Sequence, residues 1–322
     1  MIAFLKLIRI QNLLIIAFTQ YVVRWCIVYP IIQLNSKYYT LQLSELNFFL
    51  LVLSTVMIAA SGYIINDYFD VRIDKVNKPE RLVIDKGVKR RVAMGAHSVI
   101  NVLAITLALY VSYSIGSWRL TLVHFICAGG LWFYSTTFKR QFLIGNVVIA
   151  AFTALVPLIA VIYDMIPIYR TFLPIEQNLS FMAVWEYTVA FSFFAFITTL
   201  LREIIKDMED VDGDEEYGCK TMPIVLGIEM TKKIVMAIAF ITIICLAMIQ
   251  KDFLKIDDKI SFIYFTIALQ LPLLFLIFKI KTAQEKRQFH FAGNLAKFIM
   301  LLGIIYLLVF AYPILHNTLH AI

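Results

Sequence analysis

Charge is scarce in this chain. Asp, Glu, Lys and Arg together make up 16% of its 322 residues, against about 25% in a water-soluble domain, and that deficit excludes a fold surrounded by water. Cysteine is scarce too. Cys26, Cys127 and Cys245 lie inside apolar runs and Cys219 in a polar loop, with no C-x-x-C pair, so neither a zinc site nor a disulfide framework is indicated. The five histidines never form H-E-x-x-H, which removes the zinc-protease pattern. No Ser/Gly/Pro-rich linker interrupts residues 1–322, and they are read as a single domain.

What fills the chain instead is apolar surface. Hydrophobic residues make up 61% and the mean hydropathy is +0.81, more than one water-facing core can bury. A bilayer crossing takes roughly 20 mostly apolar residues. The stretches that qualify are 12–34, 46–66, 92–114, 118–137, 143–164, 182–204, 232–250, 261–280 and 294–315. They predict an all-α, polytopic membrane bundle of about nine helices. Arg9 precedes the first run, which lacks a small-residue cleavage site; it reads as a retained span and not as a signal peptide.

Basic residues give the orientation. With the N-terminus in the cytosol, 21 of the 29 Lys and Arg fall in inside segments and six in outside ones, with Arg24 and Lys297 inside spans. The positive-inside rule then predicts N-in, C-out. The net charge of +7 follows from the same bias toward anionic lipid, not from nucleic-acid binding. Fifteen of the 22 acids lie in those same inside segments. The rule covers only Lys and Arg, so the acids need another cause.

Two clusters hold most of them. Asn66-Asp67-Tyr68-Phe69-Asp70-Val71-Arg72-Ile73-Asp74 follows the second span, and Asp207-Met208-Glu209-Asp210-Val211-Asp212-Gly213-Asp214 follows the sixth. Asp67, Asp70 and Asp74 share their +3 and +7 spacing with Asp207, Asp210 and Asp214. On an α-helix those offsets put three carboxylates within an arc of roughly 60°, although Gly213 could end the second helix early. Like charges on one face repel, so a cation is expected to compensate. Mg²⁺ takes one or two protein carboxylates and completes its shell with water and substrate phosphate. Two such stripes would suit Mg²⁺ ions and a diphosphate, with the metal stabilising a diphosphate leaving group. A calcium loop of EF-hand type fits poorly, because its twelfth-position Glu is missing.

Asn66-Asp67-x-x-Asp70-x-x-x-Asp74 resembles the N-D-x-x-D-x-x-x-D signature of the UbiA superfamily of intramembrane prenyltransferases, and Asp210-Val211-Asp212-Gly213-Asp214 resembles its second D-x-x-x-D. The likeness covers nearly the whole chain. It implies a helical bundle with a central cavity open to lipid under a cytosolic cap, a prokaryotic cell membrane as its place, and Mg²⁺-dependent prenyl transfer from an allylic diphosphate with release of pyrophosphate. Asn77-Lys78-Pro79-Glu80-Arg81 resembles the family's N-R-P stretch, with Lys78 for the usual Arg. Thr221-Met222-Pro223 with Gly227 looks like the close of the second motif loop, and Arg9 with Asn12 resembles the start of the family's first helix. Tyr134 and Lys139 resemble a Y-x-x-x-K pattern, with four residues between them instead of three. In the mechanism so implied, Asp67, Asp70, Asp210 and Asp214 ligate Mg²⁺, supported by Asp74 and Asp207. Asn66 orients a ligand or contacts the diphosphate, Lys78, Lys139, Arg81 and Lys206 meet phosphate oxygens, and the Tyr134 ring faces the allylic cation. No residue stands out as the base for the acceptor.

Arg202-Glu203-Ile204-Ile205-Lys206-Asp207 looks most like the branch that alkylates prenylglyceryl phosphate with a geranylgeranyl group to make the second ether bond of archaeal-type lipids. An aromatic acceptor, as in quinone synthesis, is the alternative. A cation-coupled transporter would carry its acids deep within the spans; these cluster at the span ends. The D-G-x-x-A-R run of CDP-alcohol phosphotransferases is absent.

Overall fold

The computed structural model describes residues 2–35, 38–174 and 181–320. Among them the regular structure is helical, with one isolated bridge between Ile84 and Val88. The helices are α1 (Ile2–Leu7), α2 (Ile10–Val23), α3 (Tyr29–Asn35), α4 (Glu45–Asn77), α5 (Arg90–Ser114), α6 (Thr121–Thr136), α7 (Ile144–Phe172), α8 (Met182–Glu209), α9 (Val211–Glu216), α10 (Met222–Leu226), α11 (Ile228–Lys255), α12 (Lys259–Tyr264), α13 (Leu271–Thr282) and α14 (Lys286–His320). Eight helical segments among the described residues are long and apolar enough to cross a bilayer.

They coincide with eight of the nine expected stretches. The fourth stretch is the exception. It is a short 3₁₀ turn, Trp118–Leu120, followed by α6, whose 16 residues rise only about 24 Å. The preceding turn explains why the chain does not run straight from α5 into α6. Gly116 has φ +68, a conformation that costs other residues about 1–2 kcal/mol. Arg170 closes the turn by donating to the carbonyls of Ile115 and Gly116 and to Ser117 Oγ. A Cβ at Gly116 would collide with Arg170 Nη1. Gly116→Ala is therefore expected to cost about 2 kcal/mol, read as a lower unfolding temperature in detergent with the specific activity of the surviving protein unchanged.

The chain forms two compact units, Met1–Phe138 with Leu155–Val189, and Lys139–Ala154 with Ala190–Ile322. In the first, α4 packs along α5, α6 and α2. Ser44 caps α4 by accepting from the Asn47 N–H at 3.2 Å. Its 33 residues rise about 50 Å, against about 30 Å of hydrocarbon. The last turns, Asn66 onward, thus continue the same helix beyond its apolar part. Pro79 follows, and the Lys78 N–H bonds Asp74 O at 2.8 Å to finish the helix. Beside that end, Leu7 of α1 and Ile84 of the α4–α5 connection pack with Ile64, Val71 and Ala93. The first motif thus stands on a helix end that is buttressed by apolar contacts.

The first unit also buries charge. Arg24, the first residue of a π-helical turn (Arg24–Val28), has its Nη1 3.0 Å from Asp164 Oδ1, and both side chains are fully buried. Its Nη2 donates to Leu43 O at 2.7 Å and Glu45 Oε1 at 3.0 Å, and its guanidinium lies 4.2 Å from the Phe48 ring centre. In the second unit, Leu201, Ile204, Ile205 and Met208 of α8 form one core with residues of α11, α13 and α14. A second π-helical turn, Phe265–Gln270, frees backbone carbonyls. There Gln250 donates to Phe262 O and Thr266 Oγ1, both at 2.9 Å.

Candidate active site

The first carboxylate set lies on α4 as the spacing predicts. Asp70 is buried and accepts from Asn66 Nδ2 at 2.8 Å. Asp67 is partly exposed and pairs with Arg9 Nη2 at 2.8 Å. Asp74 lies half-buried one turn further on. The cation that the like-charged stripe requires is thus supplied in part by the protein itself. Arg9 reaches Asp67 from the link between α1 and α2, where its own backbone is left-handed (φ 52, ψ 55). That strain persists because the guanidinium is held twice, by Asp67 and by the face of Tyr63 at 4.9 Å. Asn12 Nδ2 donates to Tyr63 Oη at 3.3 Å. Arg9, Asn12 and Asn66 are therefore brought to Asp67 and Asp70. Tyr63 is a residue that the motif did not mark, although it sits one turn before Asp67 on the same helix.

Lys78 ends α4, and Arg81 ends the 3₁₀ turn Pro79–Arg81; the Arg81 side chain lies outside the described ones. Tyr134 is buried in the last turns of α6. Helix α6 stops at Thr136, and Lys139 belongs to a separate 3₁₀ turn, Phe138–Arg140. The helical spacing suggested by Y-x-x-x-K is therefore not realised.

The second carboxylate set departs from expectation. Asp207 is on α8, but α8 ends at Glu209 and the Asp210 backbone turns to φ −102, ψ 10 before α9 begins. Asp214 is buried on α9, while Asp212 is exposed. The three carboxylates therefore do not form one continuous helical stripe. The break falls at Asp210 and not at Gly213, which lies buried inside α9. Asp is a poor interior helix residue, and ending α8 there relieves part of the stacked like charge.

Three contacts organise this half. Asn146 Nδ2 on α7 donates to Asp207 Oδ2 at 2.7 Å. The Lys220 N–H donates to Arg140 O at 2.8 Å, which ties the loop after α9 to the turn carrying Lys139. Lys206 Nζ lies 3.8 Å from Glu203 Oε2. Asn146 was not singled out in the sequence, yet an amide near the start of an otherwise apolar span was the available signal. If Asp207 takes part in holding metal, Asn146→Ala is expected to lower kcat/KM about tenfold. Substrate titrations at several Mg²⁺ concentrations measure it.

The donor set fits a hard divalent cation. It consists of carboxylate oxygens together with Asn66 Oδ1, a buried acceptor that receives no hydrogen bond within the described residues. Among those residues no three Asp, Glu, His or Cys side chains gather into a ready-made metal cage. Carboxylate and amide oxygens suit Mg²⁺ better than zinc, which favours nitrogen and sulfur ligands.

Fold and site together define an all-helical membrane enzyme with carboxylate-bearing helix ends. Residues 36–302 match the UbiA prenyltransferase family, and the chain belongs to that family. A digeranylgeranylglyceryl phosphate synthase from Thermococcus kodakarensis is 29% identical over 271 residues, covering 83% of this chain and 87% of that protein. The synthase of the same name from Thermococcus gammatolerans is 30% identical, covering 79% and 80%. Among solved structures, one of a digeranylgeranylglyceryl phosphate synthase aligns over 96% of this chain and 97% of that one, at 21% identity and a TM-score of 0.59. A homologue from Archaeoglobus fulgidus bound to DMAPP and Mg²⁺ aligns over 95% and 99%, at 16% identity and a TM-score of 0.53.

Proposed function

We propose that this prenyltransferase moves a geranylgeranyl group from its diphosphate to the hydroxyl of a prenylglyceryl phosphate, building an ether lipid. The observation that carries the acceptor is the run of relatives named digeranylgeranylglyceryl phosphate synthase at about this identity over most of the chain. In the reaction the allylic C–O bond to diphosphate breaks, the ether C–O bond forms, the acceptor loses its hydroxyl proton and pyrophosphate leaves. Mg²⁺, when bound, supplies positive charge for the departing diphosphate.

The chain's own residues do the rest. Asp67 and Asp70 on α4, and Asp210 and Asp214 at the start of α9 and on it, would each hold Mg²⁺, supported by Asp74 and Asp207 in the same two stretches. Asn66 fixes Asp70 and presents Oδ1 beside it. Arg9 keeps Asp67 oriented, with Asn12 steadying Tyr63 beneath it. Lys78, Arg81, Lys139 and Lys206 take the phosphate oxygens, and Tyr134 offers its ring to the allylic cation.

Purified protein supplied with Mg²⁺, geranylgeranyl diphosphate and geranylgeranylglyceryl phosphate should yield a product heavier by one geranylgeranyl group. A panel of aromatic acids supplied instead should stay unmodified; prenylation of an aromatic acid alone would overturn the acceptor. Counting α6 as a ninth, shorter crossing beside the eight longer ones, we place the N-terminus and the carboxylates on the cytosolic side of a prokaryotic cell membrane, on the strength of the Lys and Arg distribution. Single cysteines at Lys86 and at Lys255 should then label from opposite faces of inverted vesicles.

A further inference from the structure

Two histidines outside the proposed chemistry share one arrangement. His290 and Asn294 lie one turn apart on α14, and His97 and Asn101 lie one turn apart on α5. In each pair the Asn Nδ2 lies against the His Nε2, at 3.1 Å for Asn294 and 3.2 Å for Asn101. Each His Nδ1 in turn meets an acceptor on a motif-bearing helix. His290 Nδ1 is 3.0 Å from Glu209 Oε1 on α8, and His97 Nδ1 is 3.0 Å from Ser61 O on α4. A carbonyl or carboxylate accepts, so the geometry suits donation from each Nδ1, with each Nε2 facing the Asn amide.

The acceptors sit behind the carboxylates. At 100° per residue, Glu209 points about 160° away from Asp207 around α8, and Ser61 about 180° away from Asp70 around α4. Glu209 is the last residue of α8 before the break at Asp210 and its side chain is buried. Ser61 Oγ also donates to Asn101 Oδ1 at 2.6 Å, so the α4 contact is doubled. These bonds lie where a rigid anchor limits rotation of the helix end without entering the site.

We propose that the His290–Asn294 and His97–Asn101 pairs are positioning residues, each holding the carboxylate-bearing helix of its own unit in the orientation that binds metal. The proposal rests on the reading of those carboxylates as Mg²⁺ ligands. Each histidine acts on the helix that carries the ligands, and losing such a bond is expected to cost up to about tenfold in metal affinity, because the carboxylates must otherwise be ordered, against their own repulsion, when the metal arrives.

The test is a Mn²⁺ titration of the full-length protein with inorganic pyrophosphate present, following free Mn²⁺ by EPR, with turnover measured in parallel. His290→Ala and His97→Ala should each raise the half-saturating Mn²⁺ concentration about tenfold, with kcat at saturating metal within about twofold. His290→Asn and His97→Asn keep a donor at the δ position and should restore it to within about threefold. Asn101→Ala serves if the His97 variants fail to fold, with an expected shift of about threefold from the loss of one bond. An unchanged Mn²⁺ midpoint in His290→Ala, with only a lower unfolding temperature, would overturn the positioning role. If the wild-type protein binds Mn²⁺ but transfers no prenyl group, the functional reading alone fails and the titration still decides the positioning role. If it binds no Mn²⁺, both fall.

Discussion

Asp70→Ala should reduce turnover about a thousandfold while the protein still inserts, extracts and unfolds much like the wild type. The magnitude follows from charge stabilisation of a leaving diphosphate: about 4 kcal/mol is a modest share of what a metal-held leaving group receives, and each 1.36 kcal/mol is about tenfold in rate. Asp70 is the sharpest place to look on α4, since it is the buried member of its set and Asn66 fixes its carboxylate. Asp67→Ala should cost less, because Asp67 is the partly exposed member of its set and its charge is already offset by Arg9. Asp210→Ala should match Asp70→Ala. Asp212→Ala, at an exposed position between the two carboxylates of the second motif, should stay within about twofold of wild type, as surface substitutions away from special features do. Pyrophosphate release, measured alongside the amount of folded protein, separates these outcomes. Near-normal turnover in an Asp70→Ala, Asp210→Ala double variant would remove the metal role altogether.

The second large effect concerns stability. Removing one member of the Arg24–Asp164 pair should destabilise the protein by about 3–5 kcal/mol, because the remaining charge has no water to turn to. Asp164→Ala is the cleaner variant: it leaves Arg24 with Glu45 and Leu43 O but exposes its Nη1 to an apolar surround. Arg24→Met with Asp164→Leu should recover most of the loss, since a well-packed apolar pair of similar volume often replaces a buried ion pair without penalty. Unfolding midpoints in mixed detergent would rank the variants. Equal midpoints for wild type and Asp164→Ala would show that the pair contributes nothing.

That pair was not legible in the sequence, and the reason is physical. Arg24 and Asp164 are 140 positions apart, and a span ending at Asp164 makes the acid look like an ordinary boundary residue. Local periodicity reports which residues share a face of one helix; it is silent on which faces meet. The first motif was legible for the complementary reason. Asp67, Asp70 and Asp74 lie on one unbroken helix, so their spacing translates directly into a shared face. The same rule failed at Asp207, Asp210 and Asp214 because the backbone leaves the helix at Asp210, a choice governed by local propensity and charge rather than by spacing. Apolar run length found the spans, yet it could not show that α6 begins only at Thr121, after the 3₁₀ turn Trp118–Leu120. Asn146 and Tyr63 escaped because each acts through a partner far away in sequence.

Arg9 and Arg24 stand at the two ends of α2, and both reach α4: the first meets Asp67, the second Glu45. Two fastenings on one rod remove freedoms that a single one leaves. Sliding α2 by one residue would carry both guanidinium groups about 1.5 Å along the axis and swing them by about 100°, breaking each bond together. The two helices are therefore held to one register at both ends of α2.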